Sequence, residues 1–156
     1  MPEVRMPEVA ELTLDISQSI EMKAAIGDAY SAVIRRISSE NSTPDNKPMP
    51  MVLEQWPGGR WFRDLGTGQG HLWGFVQLIK PPTLIGIHGP MFMSYAVAGH
   101  LQLRLTPISG GTELSLRHRV LGKVDEQHQA GVTDGWKWYL QGVKTLAESE
   151  ESCTSP

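Results

Sequence analysis

Polar and apolar residues alternate from Leu12 onward. Leu12, Leu14, Ile16, Gln18 and Ile20 fall on one side of an extended chain, and Thr13, Asp15, Ser17 and Ser19 on the other. This period of two predicts a half-buried strand. The period then lengthens: Ile26, Ala29, Tyr30, Val33 and Ile37 recur at helical spacing, with Asp28, Arg35, Arg36 and Glu40 outside the stripe, so a helix is expected over about residues 24–38. From Ser39 to Pro50 the chain is rich in Asn, Ser, Thr and Asp, and Pro44, Pro48 and Pro50 withhold backbone donors from any ladder. A long loop follows, and such loops in compact domains are either functional, here as a lid, or simply tolerated length.

Strand patterns then succeed one another: Met51 to Trp56, Arg60 to Leu65, His71 to Lys80, Leu84 to His88, Ser94 to Thr106 and Thr112 to Leu121, with Pro57-Gly58-Gly59 and Gly66-Thr67-Gly68-Gln69-Gly70 as turns. Ser109-Gly110-Gly111 between the last two is a hairpin signal. In the closing segment Val132, Trp136, Tyr139, Leu140, Val143, Leu146 and Ala147 share one helical face, which predicts a helix from about Asp125 to Glu148. Gly131, Gly135 and Gly142 lie within it, each costing about 1 kcal/mol relative to alanine; close approach of the helix to the sheet, or a kink near Gly131 to Gly135, would offset them. The fold class expected is α+β: a curved antiparallel sheet of six to seven strands, a shorter helical region after the first strand, and a long C-terminal helix.

Composition narrows the possibilities. A chain of 156 residues fits one domain, expected over residues 11–148 between a flexible lead over 1–10 and a disordered tail over 149–156, and at this size burial removes roughly 68–70% of the unfolded surface. The single cysteine, Cys153, lies in the polar tail, which excludes an intramolecular disulfide and a cysteine zinc site. A formal net charge of -3 with both signs scattered lacks the basic footprint of a nucleic-acid binder. No apolar run approaches the roughly 20 residues that span a bilayer, and no signal-peptide core opens the chain, so a cytoplasmic location is expected.

Four motifs stand in order along the chain: Pro57-Gly58-Gly59-Arg60-Trp61-Phe62; Gly74-x-Val76-x-x-Ile79-x-Pro81-Pro82-x-Leu84; Gly110-Gly111-Thr112-x-Leu114-x-Leu116-x-His118; and Gly135-Trp136-x-x-x-Leu140. Together with the element order they resemble the START-like, or SRPBCC, superfamily with its helix-grip fold, also that of the birch-pollen allergen type. Within it they resemble the branch named after the C-terminal domain of the activator of heat shock protein 90 ATPase. The resemblance covers Leu12 to about Glu148. It implies a curved sheet gripping the last helix around a cavity that takes an apolar or amphipathic small molecule; some relatives catalyse cyclisation or hydrolysis of such ligands. It also admits a chaperone contact and a stress-response role, although the co-chaperone's N-terminal domain, which carries much of that contact, has no room here. His88, where relatives often carry an aromatic, and the long loop before Met51 depart from the pattern.

Candidate chemistry is sparse. Alternation in the last strand sends Thr112, Leu114, Leu116, His118 and Val120 inward, leaving His118 either a satisfied core histidine or a polar group that orients a ligand. In the strand before it, His100 falls on the solvent face. Glu54, flanked by Leu53 and Trp56, is either a solvated carboxylate or one whose pKa is raised by shielding, and Arg60 can pair with Glu54 or Asp64 across a turn. If the protein is an enzyme, His118 with Glu54 or Tyr95 would do the acid–base work. His71 and His128 have no ligand-spaced partners, so neither a metal site nor a cofactor is expected. No Gly-x-Ser-x-Gly turn is present, and Gly66-x-Gly68-x-Gly70 leads into a strand, so neither nucleophile nor phosphate cradle is indicated. Trp56, Trp61, Trp73, Phe75, His88, Met91, Met93, Tyr95, Leu114, Leu116, His118, Trp136, Tyr139 and Leu140 are the candidate ligand-lining residues, core packing being the alternative for each. Met91-Phe92-Met93 is either core or the rim of an entrance.

Overall fold

The inward leucines of the last two strands set the architecture. In the computed structural model, which describes residues 4–154 and side chains as far as Ser149, the chain forms β1 (Thr13–Met22), α1 (Ile26–Ile37), β2 (Val52–Leu53), β3 (Arg60–Gly66), β4 (Gln69–Lys80), β5 (Leu84–His88), β6 (Ala98–Ile108), β7 (Gly111–Leu121) and α2 (Glu126–Thr154). A 3-10 turn over Val9–Leu12 precedes β1, where the expected lead meets the domain. The last helix runs on past Glu148 into the segment expected to be a tail. Residues 1–3 and 155–156 and the side chain of Cys153 lie outside the described residues.

All seven strands join one antiparallel sheet in the order β1-β7-β6-β5-β4-β3-β2. In β6 and β7 the period of two holds: Leu101, Leu103, Leu105, Leu114, Leu116 and His118 are fully buried, and Arg104, Arg117 and Arg119 are exposed. Each such leucine stabilises by about 1.5–3 kcal/mol relative to leaving it in water. Both helices lie across this inner face, α2 against α1 and β1.

Two strands are shorter than their patterns predict. The strand expected from Met51 to Trp56 keeps only Val52–Leu53 in the ladder, because Trp56 N–H bonds back to the Glu54 carbonyl and Gly59 N–H to the Trp56 carbonyl, turning the chain at once. The strand expected from Ser94 begins at Ala98. Before it, Met91 N–H is held by the Trp73 carbonyl at 2.8 Å and Met93 N–H by the Pro90 carbonyl at 3.1 Å, so Gly89 to Val97 forms a packed loop.

The segment Ser39 to Pro50 is a small hairpin. Thr43 N–H donates to the Lys47 carbonyl and Met49 N–H to the Asn41 carbonyl, each at 2.9 Å, and Ser42 bridges Pro48. Asn46 takes the left-handed conformation (φ 62°) at its tip, where asparagine is tolerated.

Candidate functional site

A cavity of about 360 Å³ opens between this hairpin, α2 and the inner face of β3 and β4. Its floor is aromatic. Trp61 and Trp73 meet edge to face with centroids 5.1 Å apart, and both line it. Trp73 reaches inward because of a bulge: Trp61 pairs with Gly74 and Phe62 with Leu72, leaving Trp73 the extra residue. Such an insertion re-aims a side chain. Phe75, two positions on, consequently faces outward.

The helix α2 supplies the opposite wall with Val132, Trp136, Trp138 and Tyr139, together with His128 near its start. Gly131 and Gly135, one turn apart, also line the cavity, and a Cβ built on either meets nothing within 4 Å. These glycines therefore leave space rather than admit the sheet, which corrects the expected close approach. Only Gly142 has a close neighbour, the guanidinium of Arg36, 2.9 Å from where its Cβ would stand. That guanidinium also lies over Trp138, 5.0 Å from the ring centroid.

The hairpin contributes Asn41, Ser42, Thr43, Pro44 and Met49 to the rim. Its polar side chains hold the hairpin itself: Asn41 Nδ2 donates to the Met49 carbonyl at 3.0 Å, and Thr43 Oγ1 accepts from Lys47 N–H at 3.1 Å and bonds Asp45. Ser42 Oγ accepts from Arg36 at 3.5 Å.

Phe92 forms the remaining wall. Its ring lies 5.7 Å from Trp73, 6.0 Å from His128 and 6.2 Å from both His118 and Trp136. Met91 and Met93 on either side are buried anchors that do not line the cavity.

His118 is fully buried behind Phe92. Trp136 Nε1–H donates to its Nδ1 at 3.0 Å. Indole only donates, so Nδ1 is the bare nitrogen and the proton of the neutral ring sits on Nε2, which has no protein partner. Burial, reinforced by the charge of His100, lowers its pKa to about 4.

Of the residues anticipated for a pocket, Trp61, Trp73, Trp136 and Tyr139 line this one. Leu114, Leu116 and Leu140 are buried in the core but do not line it. Three lie elsewhere: Trp56 is 56% exposed in the turn before β3, and Phe75 stacks on His88 on the outer face of the sheet, centroids 5.8 Å apart. Tyr95 is at the edge of the cavity, its hydroxyl hydrogen-bonded to His128 Nδ1. His100 lies on the outer face of β6, as alternation predicts, where it is half-buried and bonds Gln77 Oε1 at 2.9 Å.

Glu54 is an ion-pair partner. It accepts from Arg60 Nε at 2.8 Å, Arg60 NH2 at 3.0 Å and Arg60 N–H at 2.8 Å, and these bonds hold its pKa at about 2. The shielded carboxyl with a raised pKa is thereby excluded.

Sequence reasoning passed over His128 because it has no sequence-adjacent ligand partner; its partner Tyr95 is 33 positions away. Trp138 was missed because it lies off the main apolar face, and the lining glycines because they carry no side chain. Among the described residues no cluster of three or more His, Cys, Asp or Glu is arranged to hold a metal ion, and no helix is long and apolar enough to cross a membrane.

No family model matches the chain, and neither does any curated protein. Solved structures do. The di-domain ARO/CYC StfQ of the steffimycin biosynthetic pathway superposes with a TM-score of 0.68 at 15% identity, over 92% of this chain and 53% of StfQ. DynU16, from the dynemicin biosynthetic locus, gives 0.67 at 14% identity over 92% of this chain and 49% of its own. This chain thus spans about half the length of each. A protein of Chromobacterium violaceum gives 0.67 at 17% identity, over 86% of this chain and 96% of its own. At these identities the likeness establishes the fold, which is the helix-grip fold: a seven-stranded antiparallel sheet closed by a long C-terminal helix.

Proposed function

We propose that this protein binds an apolar or amphipathic small molecule between the sheet, the 39–50 hairpin and α2, to sequester or carry it. The observation that carries this reading is the pair of open glycines on α2. Two residues that each weaken a helix by about 1 kcal/mol face a cavity of about 360 Å³, within the range of small-molecule sites. The aromatic lining supplies apolar area, and the hairpin, whose Asn41 and Thr43 side chains are spent on bonds within it, acts as the lid. The helix-grip likeness to StfQ and DynU16 supports a ligand-binding role.

Four of the five tryptophans line the cavity, so their fluorescence is the direct probe. Titration with fatty acids and polycyclic aromatic compounds is expected to give a saturable change and a rise in Tm. A folded protein that shows neither with any of them refutes the reading.

A cavity enzyme of the cyclase or hydrolase kind is the second reading, favoured by the likeness to an ARO/CYC protein. His118 is poorly placed for that work, with Nδ1 committed to Trp136 and Phe92 between it and the cavity. Glu54 is committed to Arg60. No observation favours the chaperone-activating branch.

A further inference from the structure

We propose that Tyr95 and His128 form a hydroxyl-recognition pair at the cavity mouth, so that the ligand is an aromatic molecule bearing a phenol-type hydroxyl at the end nearest α2. The inference rests on the ligand-binding reading and names the chemistry of the ligand.

Among the lining residues only His128 and Tyr139 carry titratable side chains. Tyr139 is not available: its hydroxyl donates to the Val33 carbonyl at 3.3 Å, and burial pushes its pKa far up. That leaves the imidazole. His128 stands in the first turn of α2, half-buried, with Phe92 on one side and Tyr95 on the other, the Tyr95 ring in an edge arrangement at 5.6 Å. The Tyr95 hydroxyl occupies Nδ1, so Nε2 is the nitrogen left for a ligand.

The pair suits a hydroxyl because it can be both donor and acceptor. When the Tyr95 hydroxyl donates to Nδ1, Nε2–H donates to the ligand oxygen; when Nδ1–H donates to the Tyr95 oxygen, bare Nε2 accepts a hydrogen bond from the ligand O–H. A carboxylate suits it less. Partial burial and then the Asp125 carboxylate push the Tyr95 phenol up, and Glu126 follows in the first turn of the helix. A ligand carboxylate would meet that negative field. The aromatic body follows from the walls, in which Trp61, Trp73, Phe92, Trp136 and Trp138 present rings to one space.

The test compares 2-naphthol, naphthalene and 2-naphthoate on the full chain by isothermal titration calorimetry, with His128→Phe, His128→Gln and Tyr95→Phe beside the wild type. One net hydrogen bond of about 1 to 1.4 kcal/mol predicts that wild type favours 2-naphthol over naphthalene by roughly five- to tenfold more than His128→Phe does. Tyr95→Phe should lose part of that preference, and the naphthol-to-naphthalene ratio within each protein, which cancels any change in apolar packing at position 128, is the quantity compared. Nitrogen-15 shifts of the wild-type imidazole supply a readout that needs no variant: Nε2 should move on adding 2-naphthol and not on adding naphthalene. An unchanged naphthol-to-naphthalene ratio in His128→Phe, a still Nε2 signal, or tighter binding of 2-naphthoate than of 2-naphthol overturns the pair while leaving the cavity reading intact. Failure of all three probes to bind overturns the pair, and the cavity reading falls with it only if the fatty acids and larger polycyclic compounds fail as well.

Discussion

Trp136 reaches from α2 into the sheet and places its indole N–H 3.0 Å from His118 Nδ1. This single bond ties the closing helix to a fully buried polar side chain of β7 and sets that ring's tautomer. It also links fold stability to pH. The folded pKa of His118 is about 4, below the ordinary value near 6.5, so the unfolded chain takes up a proton that the folded chain refuses.

Stability should therefore be fully present above about pH 6.5 and fall as the pH drops toward 4, by up to about 3 kcal/mol. His100, depressed by burial and by the charges of Arg119 and His88, acts in the same direction. Glu54, depressed to about 2 by Arg60, loses its contribution in a lower window, as the pH falls from about 4.5 toward 2. Urea unfolding of wild type and His118→Leu across pH 4 to 7 separates these effects. The wild-type slope between pH 6.5 and 4 should shrink in the variant, and parallel curves would contradict the assignment.

His118→Leu leaves the buried Trp136 N–H without its acceptor, at a cost of about 1–3 kcal/mol. Adding Trp136→Phe should recover part of that loss at pH 7. A double-mutant cycle that shows strict additivity would mean the two rings are not coupled.

Gly131→Ala and Gly135→Ala should each raise stability by about 0.5–1 kcal/mol, since nothing within 4 Å opposes the added methyl. Gly135→Leu should instead fill the cavity and abolish binding of any ligand found. Destabilisation by either alanine, measured as a fall in Tm, would argue against open space at these positions.

Trp56 serves as an internal control. It lies outside the cavity, so Trp56→Phe should preserve a ligand-induced fluorescence change that Trp138→Phe diminishes. The reverse pattern would relocate the site.

Trp61→Phe removes the donor that holds the Ile37 carbonyl at 2.7 Å in a buried setting. A loss of about 1–3 kcal/mol is expected, together with weaker ligand affinity. Chemical denaturation reads the first and calorimetry the second.

Periodicity sufficed where the backbone is regular. The limits of β5, Leu84–His88, are those its pattern predicts, and the inward set of β7 from Thr112 to Val120 is buried as alternation requires. It misled where the ladder is irregular. Trp73 and Phe75 have the same parity in sequence yet opposite orientations, because a bulge absorbs one residue between β3 and β4. Phe75 faces away from the pocket for that reason, and His88 does so by plain alternation with the buried Ile85 and Ile87. Trp61, Trp136 and Tyr139 were legible as large apolar groups on inward faces. The Tyr95–His128 contact was not, since it depends on how a loop after β5 meets the start of α2.

The bond from Trp61 to the last carbonyl of α1 also bears on recognition. Trp61 is 2% exposed, wedged against Trp73 and anchored to Ile37, itself a lining residue. These rings are fixed before any ligand arrives, so little rotamer freedom remains to be lost on binding. The floor is a rigid template that selects the apolar body of a ligand by shape, which leaves polar discrimination to the cavity mouth.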